Sequence, residues 1–410
     1  MSDTFLNKIS MLDLSPADNE RLGLPLGGLR LQRAWPRSHN HLLLEYAAGE
    51  RTIVGQWLSN TKQLQSVFQK TAECCQKNAK VLELPDRGIL LQAEGADRRL
   101  PALASLVARP GALLVSHRPE QRAVVRLELA DGLFYAKVVI PDRAQGLAYR
   151  VRAVQKLVDN FFSIPKLAKA DLNSGILVFS ALPGQSLYDL LNSQSLADGA
   201  QAAGKALRKL HSVSDSVRAP RHGISEEIET IKFWLKQIKV FAPHLYFRLF
   251  AASTDVFRAL GADQTPLVLL HRDFYDKQIF LDEQGLIGLL DLDTVAIGEA
   301  ALDVANALVH FELRHLQSRL SQTESMAAAT AFLDGYQPDQ EVQLRIPAYM
   351  DAARLRLACV YAFRPYQSHL AEALVSRIRQ PISHINSERI QRLGIQLFLE
   401  KSIRLRSSSR

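Results

Sequence analysis

Cysteine is scarce: three residues in 410, Cys74, Cys75 and Cys359. An adjacent pair and a distant single residue build no disulfide framework and match no zinc spacing. A reducing, cytoplasmic compartment is the expectation. Long apolar runs are missing too, so no membrane span is expected. The first fifteen residues, MSDTFLNKISMLDLS, carry early acids and no apolar stretch of the secretory kind. Aromatics make up 7% of the chain, too few to suggest a base-stacking surface. The formal charge is +8, but lysine and arginine are scattered and form no basic block. Net charge is therefore the sole argument for a polymer-binding module, and a nucleic-acid partner is not expected. With 47% hydrophobic and 22% charged residues the composition is that of a globular protein, long enough for two or three domains.

Against these absences one stretch is dense in chemistry. Residues 267–306 read LVLLHRDFYDKQIFLDEQGLIGLLDLDTVAIGEAALDVAN. A short apolar strand delivers His271-Arg272-Asp273, and Gln278 follows five positions after Asp273. A second apolar run, residues 286–290, delivers Asp291 and Asp293, and Asp303 lies beyond. Carboxylates at two strand ends, with an amide between them, offer the oxygen ligands that Mg²⁺ favours. Any one of these aspartates alone is more often a turn residue. Four elements in this order and spacing carry more weight.

The stretch resembles the H-R-D-x-x-x-x-N catalytic loop and metal aspartate of kinases. It most resembles the aminoglycoside phosphotransferase-like branch, the phosphotransferase enzyme family, with some maltokinase-like features. The resemblance implies that Asp273 accepts or orients the acceptor hydroxyl proton. It implies that Gln278 stands at the asparagine metal position, that Asp291 is the metal ligand, and that Asp293 joins it. Asp303 is implied to be structural. Gln278 departs from the family by one methylene but keeps a carbonyl oxygen. Arg272 replaces a glycine common among small-molecule relatives.

The rest of the chain can be placed around this stretch. Residues 41–46 and 51–57 read as one hairpin, and residues 80–84 and 88–93 as a second, across Pro85-Asp86-Arg87. Between them residues 59–77 read as a helix with Ser59 as N-cap. No catalytic motif occurs in this first part, which is expected to be an α+β cap. Strands are expected at 112–116, 123–129 and 134–140, faintly echoing the first hairpin.

Lys137 in the third of these strands matches the family's phosphate-binding lysine, although an exposed edge lysine would look the same. The preceding loop, His117-Arg118-Pro119-Glu120-Gln121-Arg122, has no glycine. Arg118 and Arg122 are the candidates to contact phosphate in its place. The helix after Lys137 has no glutamate to pair with it; Gln155 and Asp159 are the available substitutes. Residues 180–187, SALPGQSL, resemble the family's hinge, with Ser180 and Leu182 at the adenine edge. His211, ending an L-x-x-L-H run, is expected to pack near the catalytic loop. Residues 226–260 read as two helices with Phe233, Trp234 and Ile238 on a core stripe. Late helices supply Tyr361, Arg364, His310 and Glu312 as polar candidates for the acceptor pocket.

The expectation is an α+β, two-lobed protein-kinase-like fold with an N-terminal cap. Residues 1–105 form the cap, 106–182 a β-rich nucleotide lobe, and 183–410 a mainly helical lobe. The function implied is transfer of phosphate from ATP, with Mg²⁺, to a hydroxyl of a small metabolite, a sugar favoured. The alternative is a catalytically impaired member that binds nucleotide or a partner as a regulator. The sequence leaves the oligomeric state open.

Overall fold

The computed structural model describes residues 12–15, 29–48, 51–75, 80–158, 162–213, 219–261 and 265–378. The glycine-rich entry near residue 23, Asp159 and the basic tail from Lys401 lie outside them. In chain order the first sheet comprises β1 (Arg30–Ser38), β2 (His41–Ala48), β3 (Arg51–Leu58), β4 (Lys80–Leu84) and β5 (Ile89–Ala93), with α1 (Thr61–Cys74) between β3 and β4. Its strand order is β1-β2-β3-β5-β4, antiparallel throughout. Asn60, not Ser59, caps α1, accepting a hydrogen bond from the Gln63 amide at 3.0 Å. Side chains alternate across a strand. On β5, Ile89 and Leu91 therefore join the main core while Leu90 turns to α1, where it meets Leu64 and Val67.

After α2 (Leu103–Val107) comes a second sheet: β6 (Leu113–Arg118), β7 (Arg122–Leu129), β8 (Gly132–Val139), β9 (Leu167–Asp171) and β10 (Ile176–Ser180), with α3 (Pro141–Val158) between β8 and β9. Its order, β6-β7-β8-β10-β9, repeats that of the first. Ala123, Val125 and Val138 face Leu100, Leu103 and Leu106, while Val139 and Leu177 face Ala144, Leu147 and Val151 of α3.

The helical lobe contains β11 (Gln185–Ser186), α4 (Leu196–Ser212), α5 (Ile224–Phe241), α6 (Pro243–Leu260), β12 (Leu267–Leu270), β13 (Ile279–Leu281), β14 (Ile287–Leu289), β15 (Ala296–Glu299), α7 (Ala301–Leu316), α8 (Gln322–Tyr336), α9 (Gln340–Tyr361) and α10 (His369–Val375). Helix α7 is buried almost all round and serves as the axle of the lobe. Helices α4 and α8 cross closely because both present glycine. A Cβ on Gly335 would lie 2.0 Å from the Gln201 carbonyl oxygen, and one on Gly204 2.1 Å from that of Phe332. The stripe on α5 is only partly core: Ile238 is fully buried, whereas Phe233 is 40% exposed. Residues 188–195 are turns and a bend, and helix α4 begins at Leu196. The first sheet shares one apolar core with this lobe, through Leu42, Leu44, Tyr46 and Ile53. The Ala34 amide donates to the Phe363 carbonyl at 2.9 Å, and Trp57 meets Phe241 edge-on at 6.0 Å. Among the described residues no helix is long and apolar enough to cross a membrane.

Candidate active site

Strand β12 pairs with β15 and ends at Leu270, just before His271. The loop that follows is fixed by its backbone. Asp303, fully buried at the start of α7, accepts the His271 and Arg272 amides at 2.7 Å each. His211 Nε2 lies 3.2 Å from the same carboxylate, and its Nδ1 lies 2.8 Å from the Tyr336 hydroxyl. Both residues are thus structural supports of the loop. His271 Nε2 donates to the Leu290 carbonyl at 2.8 Å, and its Nδ1 accepts the Asp273 amide at 3.3 Å. One neutral tautomer satisfies both contacts. Asn306 Nδ2 donates to the Phe274 carbonyl at 3.0 Å. Arg272 has φ +69, left-handed backbone that costs a non-glycine residue about 1–2 kcal/mol. A glycine would fit this position without that cost.

The turn Asp276–Gln278 is bolted to α7. Arg314 donates to both Asp276 oxygens, at 2.7 and 2.8 Å, with both side chains buried. Sequence reasoning passed over this pair, because an acid inside a loop and an arginine 38 residues later carry no joint signal. The Leu290 amide donates to the Gln278 carbonyl at 2.8 Å, which sets Gln278 beside Asp291. Gln278 Nε2 is 3.4 Å from the Tyr275 hydroxyl, leaving the amide oxygen available.

Four charges meet at Asp291. Lys137 Nζ is 2.9 Å from Asp291 Oδ1 and 2.6 Å from Asp293 Oδ2. Arg122 lies 3.5 Å from Asp291 and 3.4 Å from Asp293. Burial alone would raise the Asp291 pKa, but Lys137 and Arg122 hold its carboxyl well below the usual range. Burial works against the Arg122 charge as well; Asp291, Asp293 and Asp273 outweigh it and push its pKa up. Asp273 shifts the other way. Burial raises its pKa, helped by the Asp291 charge and opposed by His271, Arg356 and Arg122. Lys137 therefore takes its counterions from β14's exit, and none of its hydrogen bonds goes to Gln155.

The loop between β6 and β7 is held from outside. Glu120, with φ +58, donates its amide to Asp97 at 2.7 Å, and its carboxylate forks Arg98 at 2.7 and 3.1 Å. His117 Nε2 is 2.9 Å from Asp97. Arg118 stacks 4.7 Å from the Trp35 ring, and Arg33 stacks on that ring at 4.7 Å as well. Burial, Arg122 and Arg33 bring the Arg118 pKa down to about 10. At the hinge the Ser180 amide donates to the Lys166 carbonyl at 3.0 Å and its hydroxyl accepts the Lys166 amide at 3.0 Å. The Ala181 amide bonds to Leu133, whereas none of the described backbone bonds takes the Leu182 amide. Gly184 turns the chain with φ +86; a Cβ there would lie 2.0 Å from the Leu281 oxygen.

Of the acceptor-pocket candidates, Glu312 is taken by Arg354 at 2.7 Å and Arg377 at 3.0 Å. His310 stacks on Tyr275 with centroids 4.4 Å apart. Arg364 lies over the Tyr361 ring at 4.3 Å.

A family model described as "Phosphotransferase enzyme family" matches residues 114–347. Comparison with curated proteins found no match. Among solved structures, amicoumacin kinase hAmiN, in complex with AMP-PNP, Ca²⁺ and Ami, superposes with TM-score 0.51 at 13% identity, covering 69% of this chain and 92% of that one. A choline/ethanolamine kinase family protein from Mesorhizobium loti gives TM-score 0.47 at 18% identity, covering 66% and 92%. An aminoglycoside phosphotransferase from Streptomyces rimosus gives 0.44 at 21%, covering 63% and 98%.

Proposed function

The chain belongs to the phosphotransferase enzyme family and is a small-molecule phosphotransferase of protein-kinase-like fold, and from that premise we propose that it transfers the γ-phosphate of ATP to a hydroxyl of a sugar or sugar derivative. The observation that carries this reading is the charge cluster: Lys137 and Arg122 on one sheet, Asp291 and Asp293 at the exit of another, and Asp273 close enough for Arg122 to feel all three carboxylates. The same reading divides the chain into a cap (1–105), a nucleotide lobe (106–182) and a catalytic lobe (183–410).

Asp273 is assigned to take the acceptor proton. Its raised pKa suits that task, since a carboxylate destabilised by burial is a stronger base. Lys137, Arg122 and Arg118 are assigned to the phosphates, and the Ser180–Leu182 hinge to the adenine edge. The oxygen-only set of Asp291, Asp293 and the Gln278 amide suits Mg²⁺, which would neutralise phosphate charge and hold the phosphates for in-line attack. Lys137 and Arg122 already cancel the two carboxylates, so a chelated nucleotide exchanges charges here without leaving one unpaired.

The test is a product screen with ATP over sugars, aminosugars, amino alcohols and aminoglycosides, run with wild type and Asp273→Ala. We expect turnover of a sugar-class acceptor. The substitution should lower kcat by roughly 10²–10⁴-fold while nucleotide affinity stays within about twofold. Equal turnover in the variant removes Asp273 from its role. Nucleotide binding without turnover of any acceptor moves the protein to the impaired, regulatory class.

A further inference from the structure

Beside Asp273 the helical lobe gathers positive charge beyond what its carboxylates balance. Tyr275, two residues on, stacks against His310. Around that ring pair stand Arg314, Arg356, Arg364 and Lys277. Burial and these four charges hold the His310 imidazole neutral. Arg314 has its counterion in Asp276, and Arg356 lies 3.5 Å from Glu227 and donates to Asn306 at 2.9 Å. Lys277 and Arg364 have no carboxylate partner among the described ion pairs. Lys277 Nζ rests 4.0 Å from the Tyr188 ring, which also carries Arg314 at 4.9 Å. Arg364 rests on Tyr361, whose hydroxyl accepts from Gln317 at 2.8 Å. Gln317 in turn accepts from Arg314 at 2.6 Å. The two uncompensated cations are thus joined through one continuous chain of contacts.

Three buried polar atoms in this group lack a hydrogen-bond partner, Arg364 Nε, His310 Nδ1 and Arg356 Nε, the last of which still has Glu227 at 3.5 Å. Burial lowers the pKa of both Lys277 and Arg364, with Arg314 and Arg33 adding to the effect. Lys277 is exposed, but Arg364 is half-buried, and a guanidinium partly removed from water without a counterion is unfavourable unless a ligand supplies the missing charge. A guanidinium fork is shaped for a planar or tetrahedral oxyanion. A cationic acceptor, by contrast, would meet like charge at Lys277 and Arg364.

Resting on the kinase reading above, we propose that the acceptor is itself an anion, a hydroxylated small molecule bearing a phosphate or carboxylate that Arg364 and Lys277 hold and His310 hydrogen-bonds, with its hydroxyl at Asp273. The transfer balances: the acceptor oxygen forms the new O–P bond as the bond to the ADP oxygen breaks, and the hydroxyl proton passes to the Asp273 carboxylate. The product is a bisphosphate or a phosphorylated acid.

The experiment uses the full chain and matched acceptors: glucose, glucosamine, glucose 6-phosphate and gluconate; glycerol, glycerol 3-phosphate and glycerate. Turnover is measured with MgATP, and calorimetric binding with a non-hydrolysable ATP analogue. An anionic congener should exceed its neutral parent in kcat/KM by at least tenfold, and the phosphate and carboxylate arms show which oxyanion is read. Arg364→Gln and Lys277→Gln should raise KM for that anion tenfold or more, change kcat less, and leave nucleotide affinity within twofold. Preference for the neutral or amino congener overturns the proposal, as does the absence of any anion-dependent binding. So does a parallel loss of nucleotide affinity in Arg364→Gln, which would assign the cations to ATP. Failure of MgATP itself to bind would instead sink the kinase reading.

Discussion

The two five-stranded sheets are the same object built twice. Both run edge to edge in the order first, second, third, fifth, fourth, with one helix between third and fourth strands. Even the registers coincide. The central hairpins close at Ala48 opposite Arg51 and at Leu129 opposite Gly132. At the sixth residue of the third strand the first sheet has Gln56, between Leu43 and Leu90, and the second has Lys137, between Val124 and Leu177. What differs is what these two side chains face. Gln56 is fully buried, accepts from His41 at 2.9 Å and donates to Gln92 at 2.9 Å and Glu120 at 3.3 Å. Lys137 faces Asp291 and Asp293. Identical topology therefore supports a buried amide network, tied to the Arg98–Glu120 ion pair, at one sheet and a charged cleft at the other. Fold sets the position, and the residue placed there sets the chemistry.

The difference has a mechanical side. Through Glu120, the first sheet grips the loop of the second sheet that carries Arg118 and Arg122, the residues proposed to contact the phosphates. Glycine is absent from that loop, and an external clamp on a left-handed glutamate takes its place in fixing it.

Exchanging the two key residues tests the comparison hardest. Lys137→Gln gives the second sheet the first sheet's side chain and strands Asp291 and Asp293 with Arg122 as their remaining partner. Turnover should fall by about two to three orders of magnitude, consistent with the loss of a buried charge-assisted contact worth roughly 3–4 kcal/mol. Gln56→Lys should abolish no chemistry. It buries a charge whose nearest acid, Glu120, is already forked by Arg98, and breaking a satisfied buried network costs about 2–4 kcal/mol. The thermal midpoint should drop by several degrees in a calorimetric scan. If instead Gln56→Lys is silent in stability, the first sheet's network is not the closed set described.

Glu120→Ala should have a smaller effect. It removes the Arg98 fork and one Gln56 partner while Asp97 keeps His117. KM for ATP should rise roughly three- to tenfold with kcat little changed, as expected when a positioning contact worth about 1 kcal/mol is lost. An unchanged KM would mean that the clamp serves stability alone.

How much of this was legible beforehand follows from the range of each interaction. Local patterns were readable: the two hairpins around 48–51 and 85–87, the strands of the second sheet, and the spaced aspartates. The strand β1 went unread because RLQRAWPRS alternates poorly and contains Pro36. The core stripe on α5 was overstated because periodicity cannot tell a buried aromatic from an exposed one, and Phe233 proved exposed. The sheet repeat showed only as an echo, since strand order is carried by pairing partners and not by residue identity. The clamp and the cation group were invisible for the same reason. Asp97–Glu120, Asp276–Arg314 and Lys277–Tyr188 join segments whose separate sequences have no reason to be read together.

The smallest effect expected separates the two carboxylates of the cleft by sign. Asp273 has a folded pKa raised by burial, so its ionised form is disfavoured by folding. It costs stability above its unfolded pKa of about 4, and that cost disappears at lower pH. Asp291 has a folded pKa held down by Lys137 and Arg122 despite burial, so it contributes stability above the unfolded pKa and loses it on acidification. Asp273→Asn should therefore raise the thermal midpoint at pH 7 by a degree or two, and Asp291→Asn should lower it, as befits changes of about 1 kcal/mol or less in a chain this size. The Asp273 difference should shrink as the pH is brought toward 4, whereas the Asp291 difference should persist to that pH and fall away only below it. Midpoints that move in the same direction in the two variants would contradict the electrostatic division of labour assigned to these side chains.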